Sequence, residues 1–456
     1  MTSIPYTLVL GLGITGASVV RHLVLKGAGH GARNERVVVM DSRDQPPFAD
    51  EIAAAHPEVE QRLGAFAGSV LDGASCIVAS PGIAGLDELT ANARARGVPV
   101  LSDIDLFARA ANAPVIGITG TNGKSTVTVL LGELLAAAGI RVAVGGNLGT
   151  PALALLDAGV QCYVLELSSF QLDITHELHC LAATVLNVSP DHLDRYGDMP
   201  TYARSKRRIY QGTKYCVFNR ADAATRPPAA HAGAVSFGLD APGEGQFGIA
   251  EVQGVRHLMH GNRALVPANA LQLRGTHNET NVLAALALAH VFGVAMPSVL
   301  PALRTFAGLP HRCQSVATLN GVEFINDSKA TNEGAALAAL AGVGDAIAGR
   351  IVLIAGGDGK GSDFADLAAA LPGPVRAVVT IGRDAERITR AVAGKVPVVA
   401  AGVLRRAVRM GFDLAQAGDC VLLAPACASL DQFLSFEQRG DCFAQAVTEL
   451  VREIGA

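Results

Sequence analysis

The stretch Pro114–Thr126, PVIGITGTNGKST, constrains this chain more than any other. Its apolar run Val115-Ile116-Gly117-Ile118 reads as a buried strand. The turn Gly120-Thr121-Asn122-Gly123 follows, then Lys124-Ser125-Thr126 and the amphipathic run Val127–Ala138. Strand, glycine turn and helix start in that order form a phosphate cradle. The glycines let backbone N–H groups point inward, and the helix N-terminus adds partial positive charge. Lys124 would face the outer phosphates, and Ser125 or Thr126 would offer a hydroxyl to Mg²⁺. The longer form of this motif needs a glycine at position 118, which is Ile118. An ordinary strand–helix turn is the alternative, and it leaves GKST after paired glycines unexplained.

The 456 residues are too many for one core and imply about three domains. Half are hydrophobic and 17% charged, so there is ample material to bury. A net charge of −4 offers no electrostatic footprint for nucleic acid or an anionic membrane. The eight cysteines contain no C-x-x-C pair and read as reduced, mostly buried thiols. The first residues lack the basic start of a signal peptide. The uncharged run Thr280–Leu303 holds Asn281, His290, Gly293, Pro297 and Pro301, and so reads as a buried helix, a turn and a second helix, not a membrane span. A cytoplasmic monomer with small-molecule partners is expected.

Strand–loop–helix units recur from end to end. Thr7–Leu10 leads into Gly11-Leu12-Gly13-Ile14-Thr15-Gly16, and the next strand, Val37–Met40, ends on Asp41-Ser42-Arg43. That is a dinucleotide-type fingerprint, with a helix N-terminus and a strand-end acid suited to phosphates and a sugar. A third strand, Cys76–Ala79, ends at Ser80-Pro81-Gly82, and a linker near Leu101–Pro114 leads to the phosphate cradle. Beyond it, Tyr163–Leu167 carries Glu166 at its end, placed to reach Mg²⁺. Ala183–Val188 runs into Ser189-Pro190-Asp191-His192, where His192 is either a metal ligand or a helix-capping neighbour. Lys206, in Tyr202–Tyr210, reads as part of a solvated basic helix face. Ala221–Gly261 reads as loops and short antiparallel strands. Asn278 and Asn281 share the first turn of the long apolar helix, where they either cap it or meet a base edge.

A second boundary falls near Gly308–Arg312. After the strand Val322–Ile325 come Asp327, Lys329 and Thr331, which alternate onto one face if the segment stays extended. Ile351–Ala355 ends in Gly356-Gly357-Asp358-Gly359-Lys360, and Val421–Ala424 ends in the loop carrying Ser429. Polar strand ends in each of three α/β domains point to a site assembled between domains. That favours a ligase over an NAD(P)-dependent oxidoreductase or a nucleotide-dependent binding or switch protein. The economical reaction is phosphorylation of a carboxylate followed by attack of an amine.

The motifs G-T-N-G-K-S-T, E-L-S-S-F-Q-L, N-D-S-K-A-T-N, G-G-D-G-K and P-A-C-A-S-L-D-Q-F together resemble the Mur ligases of peptidoglycan synthesis. Other members, or a folylpolyglutamate synthetase, share the cradle and the chemistry. A full N-terminal domain with G-x-G-x-x-G favours a UDP-muramoyl substrate over a folate. The resemblance implies three α/β domains: a Rossmann-like UDP-substrate domain over 1–102, an ATP-binding domain of P-loop type over 103–308, and a Rossmann-like domain over 309–456 for the amino acid. It implies ATP-dependent addition of D-glutamate to UDP-N-acetylmuramoyl-L-alanine, with Mg²⁺ at two sites. Ile14, Thr15, Asp41, Ser42, Arg43 and Gly82 would hold UDP, and Asn147 the muramoyl part. Gly120, Thr121, Asn122, Gly123, Lys124, Ser125 and Thr126 would hold the ATP phosphates. Asn278, Asn281, Arg312 and Asp327 would hold adenosine and its phosphates. Ser125 and Glu166 would bind one Mg²⁺, and His192 with a carbamylated Lys206 the other. Lys329 would face the transferring phosphate. Thr331 and Lys360 would take the side-chain carboxylate of glutamate, with Ser429 and Phe436 at its α-carboxylate.

Overall fold

The computed structural model describes residues 5–26, 36–64, 71–81, 83, 86–228, 231–273, 275–344 and 346–454. Gly82, expected at the UDP site, lies outside them. Among the described residues the strands form three sheets, of five, nine and six, each in its own α/β domain. All eight cysteines are free, and only Cys313 and Cys442 are not fully buried. No helix among the described residues is long and apolar enough to cross a membrane.

The first sheet is wholly parallel, in the order Glu60–Leu63, Arg36–Asp41, Tyr6–Leu10, Ala74–Ala79, Val100–Ser102. Strand order reverses at Tyr6–Leu10, so a crevice opens beyond its carboxyl end, where the glycine turn sits. A Cβ on Gly16 would lie 1.8 Å from the Gly11 carbonyl oxygen, so glycine lets helix Ile14–Leu25 pack directly on the turn.

In the central sheet Val142–Gly146, Cys162–Glu166, Val115–Thr119, Ala182–Val185, Tyr215–Asn219 and Ala234–Phe237 run parallel. An antiparallel extension, Phe247–Val252, Val255–His260 and Arg263–Pro267, follows. The 221–261 region is therefore mixed where short antiparallel strands were expected, because Ala234–Phe237 joins the parallel set. Helix Thr276–Phe292 ends at Gly293 before Met296–Thr305 begins, as its apolar pattern predicts. Val282 through Ala289 are wholly inaccessible, the mark of a helix apolar all round.

The third sheet sets Gln314–Leu319 antiparallel to Val322–Asn326, then continues in parallel through Cys420–Leu423, Ile351–Gly356, Val375–Ile381 and Val398–Gly402.

The expected linker over Leu101–Pro114 is instead a strand end and a helix, Asp103–Ala110. Ser102 and Asp105 close a capping box, the Ser102 hydroxyl accepting from the Asp105 amide at 3.0 Å. The other Asp105 oxygen accepts the His176 and Glu177 amides, each at 2.8 Å. One carboxylate thus starts the helix and ties the connection to the central domain, while Ile104, Leu106 and Phe107 are buried.

Candidate active site

Strand Val115–Thr119 is buried throughout and delivers the glycine turn to the start of helix Lys124–Ala137. Gly123 caps that helix at φ +83°, and a Cβ there would lie 2.3 Å from Asn281 Oδ1. The close approach brings Asn281 against the phosphate loop, and its Nδ2 donates to Asn278 Oδ1 at 3.2 Å. The N-cap of their helix is Gly275, and both asparagines line the cavity.

Lys124 Nζ donates to the carbonyls of Gly120 and Thr121, at 3.0 and 2.9 Å. Lys206 Nζ donates to the same Gly120 carbonyl at 2.9 Å. Lys206 is 2% exposed, so the reading of its helix as a solvated basic face is corrected at this position. On Met199–Arg207, Arg204 faces solvent while Tyr202 and Lys206, one turn apart, face in, with Lys206 Nζ 4.5 Å from the Tyr202 ring centroid. Burial, reinforced by Lys124, pushes the Lys206 ammonium well below its ordinary value.

Glu166 ends strand Cys162–Glu166 and is 3% exposed. Its Oε1 accepts from Asn147 Nδ2 at 2.7 Å, which makes Asn147 a partner of the acid. Its Oε2 is buried without a hydrogen-bond partner among the described residues. Burial alone would raise the Glu166 pKa, but the Lys124 charge, the nearby Ser125 hydroxyl and the Asn147 bond outweigh it and hold the carboxyl below its ordinary value. Ser125 Oγ faces the same cavity and accepts from Arg312 Nη2 at 2.7 Å. An orphaned carboxylate oxygen and a hydroxyl are hard donors that fit Mg²⁺. Among the described residues no group of three or more His, Cys, Asp or Glu gathers. A cation here would therefore complete its shell with phosphate oxygens and water, as Mg²⁺ commonly does. His192 lines the same cavity at φ +54°, its ring 4.9 Å from that of Phe170, and burial lowers its pKa towards the neutral imidazole.

The C-terminal domain supplies the facing wall of this cavity of about 230 Å³. The segment after strand Val322–Asn326 turns instead of staying extended, with the Ala330 amide donating to the Asp327 carbonyl at 2.9 Å. Asp327, Lys329 and Thr331 nevertheless all line the cavity, together with Lys124, Arg312 and Lys360. Burial lifts Asp327 to about 6 against the pull of Arg312. Burial, with Arg312 and Lys124, brings Lys329 down to about 8. Lys329 Nζ lies 3.9 Å from the Phe436 ring centroid. Ser429 and Phe436 do not line the cavity. The Ser429 loop is joined to the Lys360 turn by paired backbone bonds between Asp358 and Ala428, at 3.0 and 2.8 Å.

Two residues here escaped the sequence reading. Asp191 lines the cavity and contacts the C-terminal domain. Its signal was available, since it follows a strand end like the other site acids. Arg439, 1% exposed, donates to the Ser328 carbonyl and hydroxyl and to the Cys427 carbonyl, and so ties the Lys329 turn to the Ser429 loop. A lone arginine inside a helix carries no such signal.

The expected UDP residues lie at the first sheet's carboxyl edge, apart from this cavity. Ile14 and Thr15 open helix Ile14–Leu25, and Ile14 is exposed. Asp41 is buried, and both its oxygens are engaged: Oδ2 by the Leu12 amide and Arg43 Nη2, Oδ1 by the Arg43 amide and Nε, all within 2.9 Å. The Arg43 bond, with the two amides, outweighs burial and pulls Asp41 down to about 2. Ile14, Ser42 and Arg43 are the exposed members of this group.

Three family models match the chain: the Mur ligase MurD-like N-terminal domain over residues 6–102, the Mur ligase middle domain over 118–289, and the Mur ligase glutamate ligase domain over 311–427. A UDP-N-acetylmuramoylalanine–D-glutamate ligase of Pseudomonas putida is 50% identical over 442 residues, 97% of each chain. One from Pseudomonas fluorescens is 49% identical over 446 residues, 98% of each chain. Among solved structures, the UDP-N-acetylmuramate–alanine ligase MurC of Thermotoga maritima shares the fold, with a TM-score of 0.62 at 16% identity, covering 97% of this chain and 99% of its own. With models matching along most of its length and near-full-length relatives at half identity, the chain belongs to the Mur ligase family.

Proposed function

We propose that the protein is an ATP-dependent ligase that joins D-glutamate to UDP-N-acetylmuramoyl-L-alanine through an acyl phosphate, a step in making peptidoglycan precursors. The observation that carries this reading is one cavity between two domains holding Lys124, Glu166, Lys329 and Lys360. A carboxylate is too electron-rich for an amine to attack, so it must first be activated. Lys124 and Lys329 approach a γ-phosphoryl group from opposite domains and would neutralise charge as it moves. Ser125 and Glu166 would hold Mg²⁺, which neutralises phosphate charge when bound. His192 and Lys206 would serve a second ion, with Lys206 carbamylated; an amine depressed by burial is the form that reacts with carbon dioxide.

In this scheme residues 1–102 hold the uridine end of the substrate, 103–308 the nucleotide and metal, and 309–456 the amino acid. Adenosine lies against Asn278, Asn281, Arg312 and Asp327, and glutamate against Thr331, Lys360, Ser429 and Phe436. The enzyme works as a cytoplasmic monomer. Acyl phosphates hydrolyse, so the cavity must also exclude water during transfer.

The test is isotopic. With ¹⁸O in the substrate carboxylate, one labelled oxygen should appear in the orthophosphate released. Unlabelled phosphate would end the acyl-phosphate reading. Growth of the enzyme in ¹³C-bicarbonate should give a carbamate carbon signal that Lys206→Ala abolishes.

A further inference from the structure

Glutamate carries two carboxylates and an ammonium. The groups assigned to it above, Thr331, Lys360, Ser429 and Phe436, serve only the carboxylates. The cavity is otherwise hostile to a cation, because Lys124, Arg312, Lys329 and Lys360 all line it. Of the three acids that face it, Glu166 offers its unpartnered oxygen to the Mg²⁺ assigned above, and Asp327 is engaged by the Cys313 amide and Arg312. Asp191 remains.

Asp191 belongs to the central domain, yet its contacts reach across to the C-terminal one. Its Oδ2 accepts from Asn332 Nδ2 at 3.1 Å, and its Oδ1 lies 3.8 Å from Lys360 Nζ. Lys360 is held for this approach by its own backbone. Its φ is +49°, a left-handed conformation unusual for a side-chain-bearing residue, and its amide donates to Asp358 Oδ1 at 3.0 Å. The Asp191 side chain is 13% exposed, so this carboxylate is largely shielded from solvent. In the structure it is thus paired with a primary ammonium and an amide N–H, while its Oδ1 also accepts the His192 amide at 3.1 Å and its Oδ2 lies 3.7 Å from His192 Nε2.

We infer that Asp191 binds the ammonium of the incoming amino acid, and that Lys360 and Asn332 occupy its place when the amino acid is absent. Binding is then an exchange of partners. The substrate carboxylate takes Lys360 from Asp191, and the substrate ammonium takes the vacated Asp191 carboxylate. Both charges of the protein pair stay compensated throughout, which avoids stranding either one in a half-buried cleft. The exchange also orients the nitrogen, because a ligand carrying only the carboxylate can free Lys360 but cannot satisfy Asp191. This assignment rests on the ligase reading above.

The test compares D-glutamate with glutarate, which lacks the amine, as ligands of the full-length enzyme saturated with UDP-substrate and a non-hydrolysable ATP analogue, by calorimetry. The wild-type enzyme should prefer D-glutamate by at least about tenfold, the size of a charge-assisted hydrogen bond. Asp191→Asn should weaken D-glutamate by about 10- to 100-fold and leave glutarate unchanged or tighter, since the competitor for Lys360 has lost its charge. Asp191→Glu should restore part of the preference. Equal wild-type affinities for the two ligands would overturn the assignment without any variant, as would a parallel loss of both in Asp191→Asn and Asp191→Glu. A separate measurement guards the underlying reading: wild-type enzyme with ATP, UDP-substrate and hydroxylamine, but no amino acid, should yield a hydroxamate. Its absence would refute the acyl phosphate and would say nothing of Asp191.

Discussion

Two glycine turns at two sheet edges present the same topology with opposite electrostatics. At the first, Asp41 is buried, and both oxygens are taken up by Leu12 and Arg43. At the second, Glu166 is equally buried but keeps an oxygen without a hydrogen-bond partner among the described residues. The first acid is spent on aiming a guanidinium, so the group it presents to a ligand is a cation fixed in direction. The second acid is itself the presented group. A strand-end acid after a glycine turn therefore does not by itself tell what it binds; the satisfaction of its oxygens does.

The sharpest way to break this contrast is to neutralise Glu166. Glu166→Gln keeps the shape and the Asn147 contact but removes the charge facing the phosphates. The expected loss in kcat is about a thousandfold, the upper range for deleting one preorganised electrostatic group, with the affinity for UDP-substrate unchanged. A comparable loss of UDP-substrate affinity would mean that the two edges are not separate sites. Arg43→Ala is the converse. It should raise KM for UDP-substrate by about 30-fold, as for loss of a charged hydrogen bond, with kcat unchanged. An effect on kcat alone would remove Arg43 from substrate binding.

The difference between the edges was only half visible before the fold was known. Both turns, both acids and the strand–helix alternation stand in the sequence as contiguous patterns, because each is a local consequence of one strand meeting one helix. What surrounds the phosphate loop at the second edge is not local. Arg312 reaches Ser125 across 187 positions, and Lys206 meets Gly120 across 86. The basic segment around Lys206 reads as solvated because four of its six residues from Tyr202 to Arg207 are polar; only its docking on the phosphate loop turns one lysine inward. The Leu101–Pro114 connection failed for a different reason. Its capping box was present as Ser102 and Asp105, but the carboxylate's second role, on the His176 and Glu177 amides, depends on the central domain.

The cation side of the second edge gives a pH signature that the first lacks. Lys329 is depressed to about 8, chiefly by burial. It is charged below that value and neutral above it, so kcat/KM for ATP, which reports the free enzyme, should be level below the Lys329 pKa and fall about tenfold per pH unit above it. Lys329→Arg should move this limb to higher pH, since a guanidinium stays charged. An unchanged limb in that variant would assign the titration to another group. No such limb is expected in the UDP-substrate affinity, because Arg43 is held above its ordinary value by Asp41.

The smallest expected effect lies in stability at the first edge. Asp41 falls from 3.8 to about 2 on folding, chiefly through Arg43. A depressed carboxyl stabilises the fold fully above its unfolded value and loses that contribution as pH falls through the folded one. The shift alone corresponds to about 2 kcal/mol. The Arg43 side chain is 52% exposed, so solvent screening reduces this to about 1 kcal/mol. Urea unfolding of wild type and Asp41→Asn, followed on the N-terminal domain's transition, should therefore differ more at pH 5 than at pH 2 by that amount. A difference that stays constant across this interval would show that Asp41 holds Arg43 by shape and hydrogen-bond count, with its charge contributing nothing. The contrast with Glu166 would then rest on geometry alone.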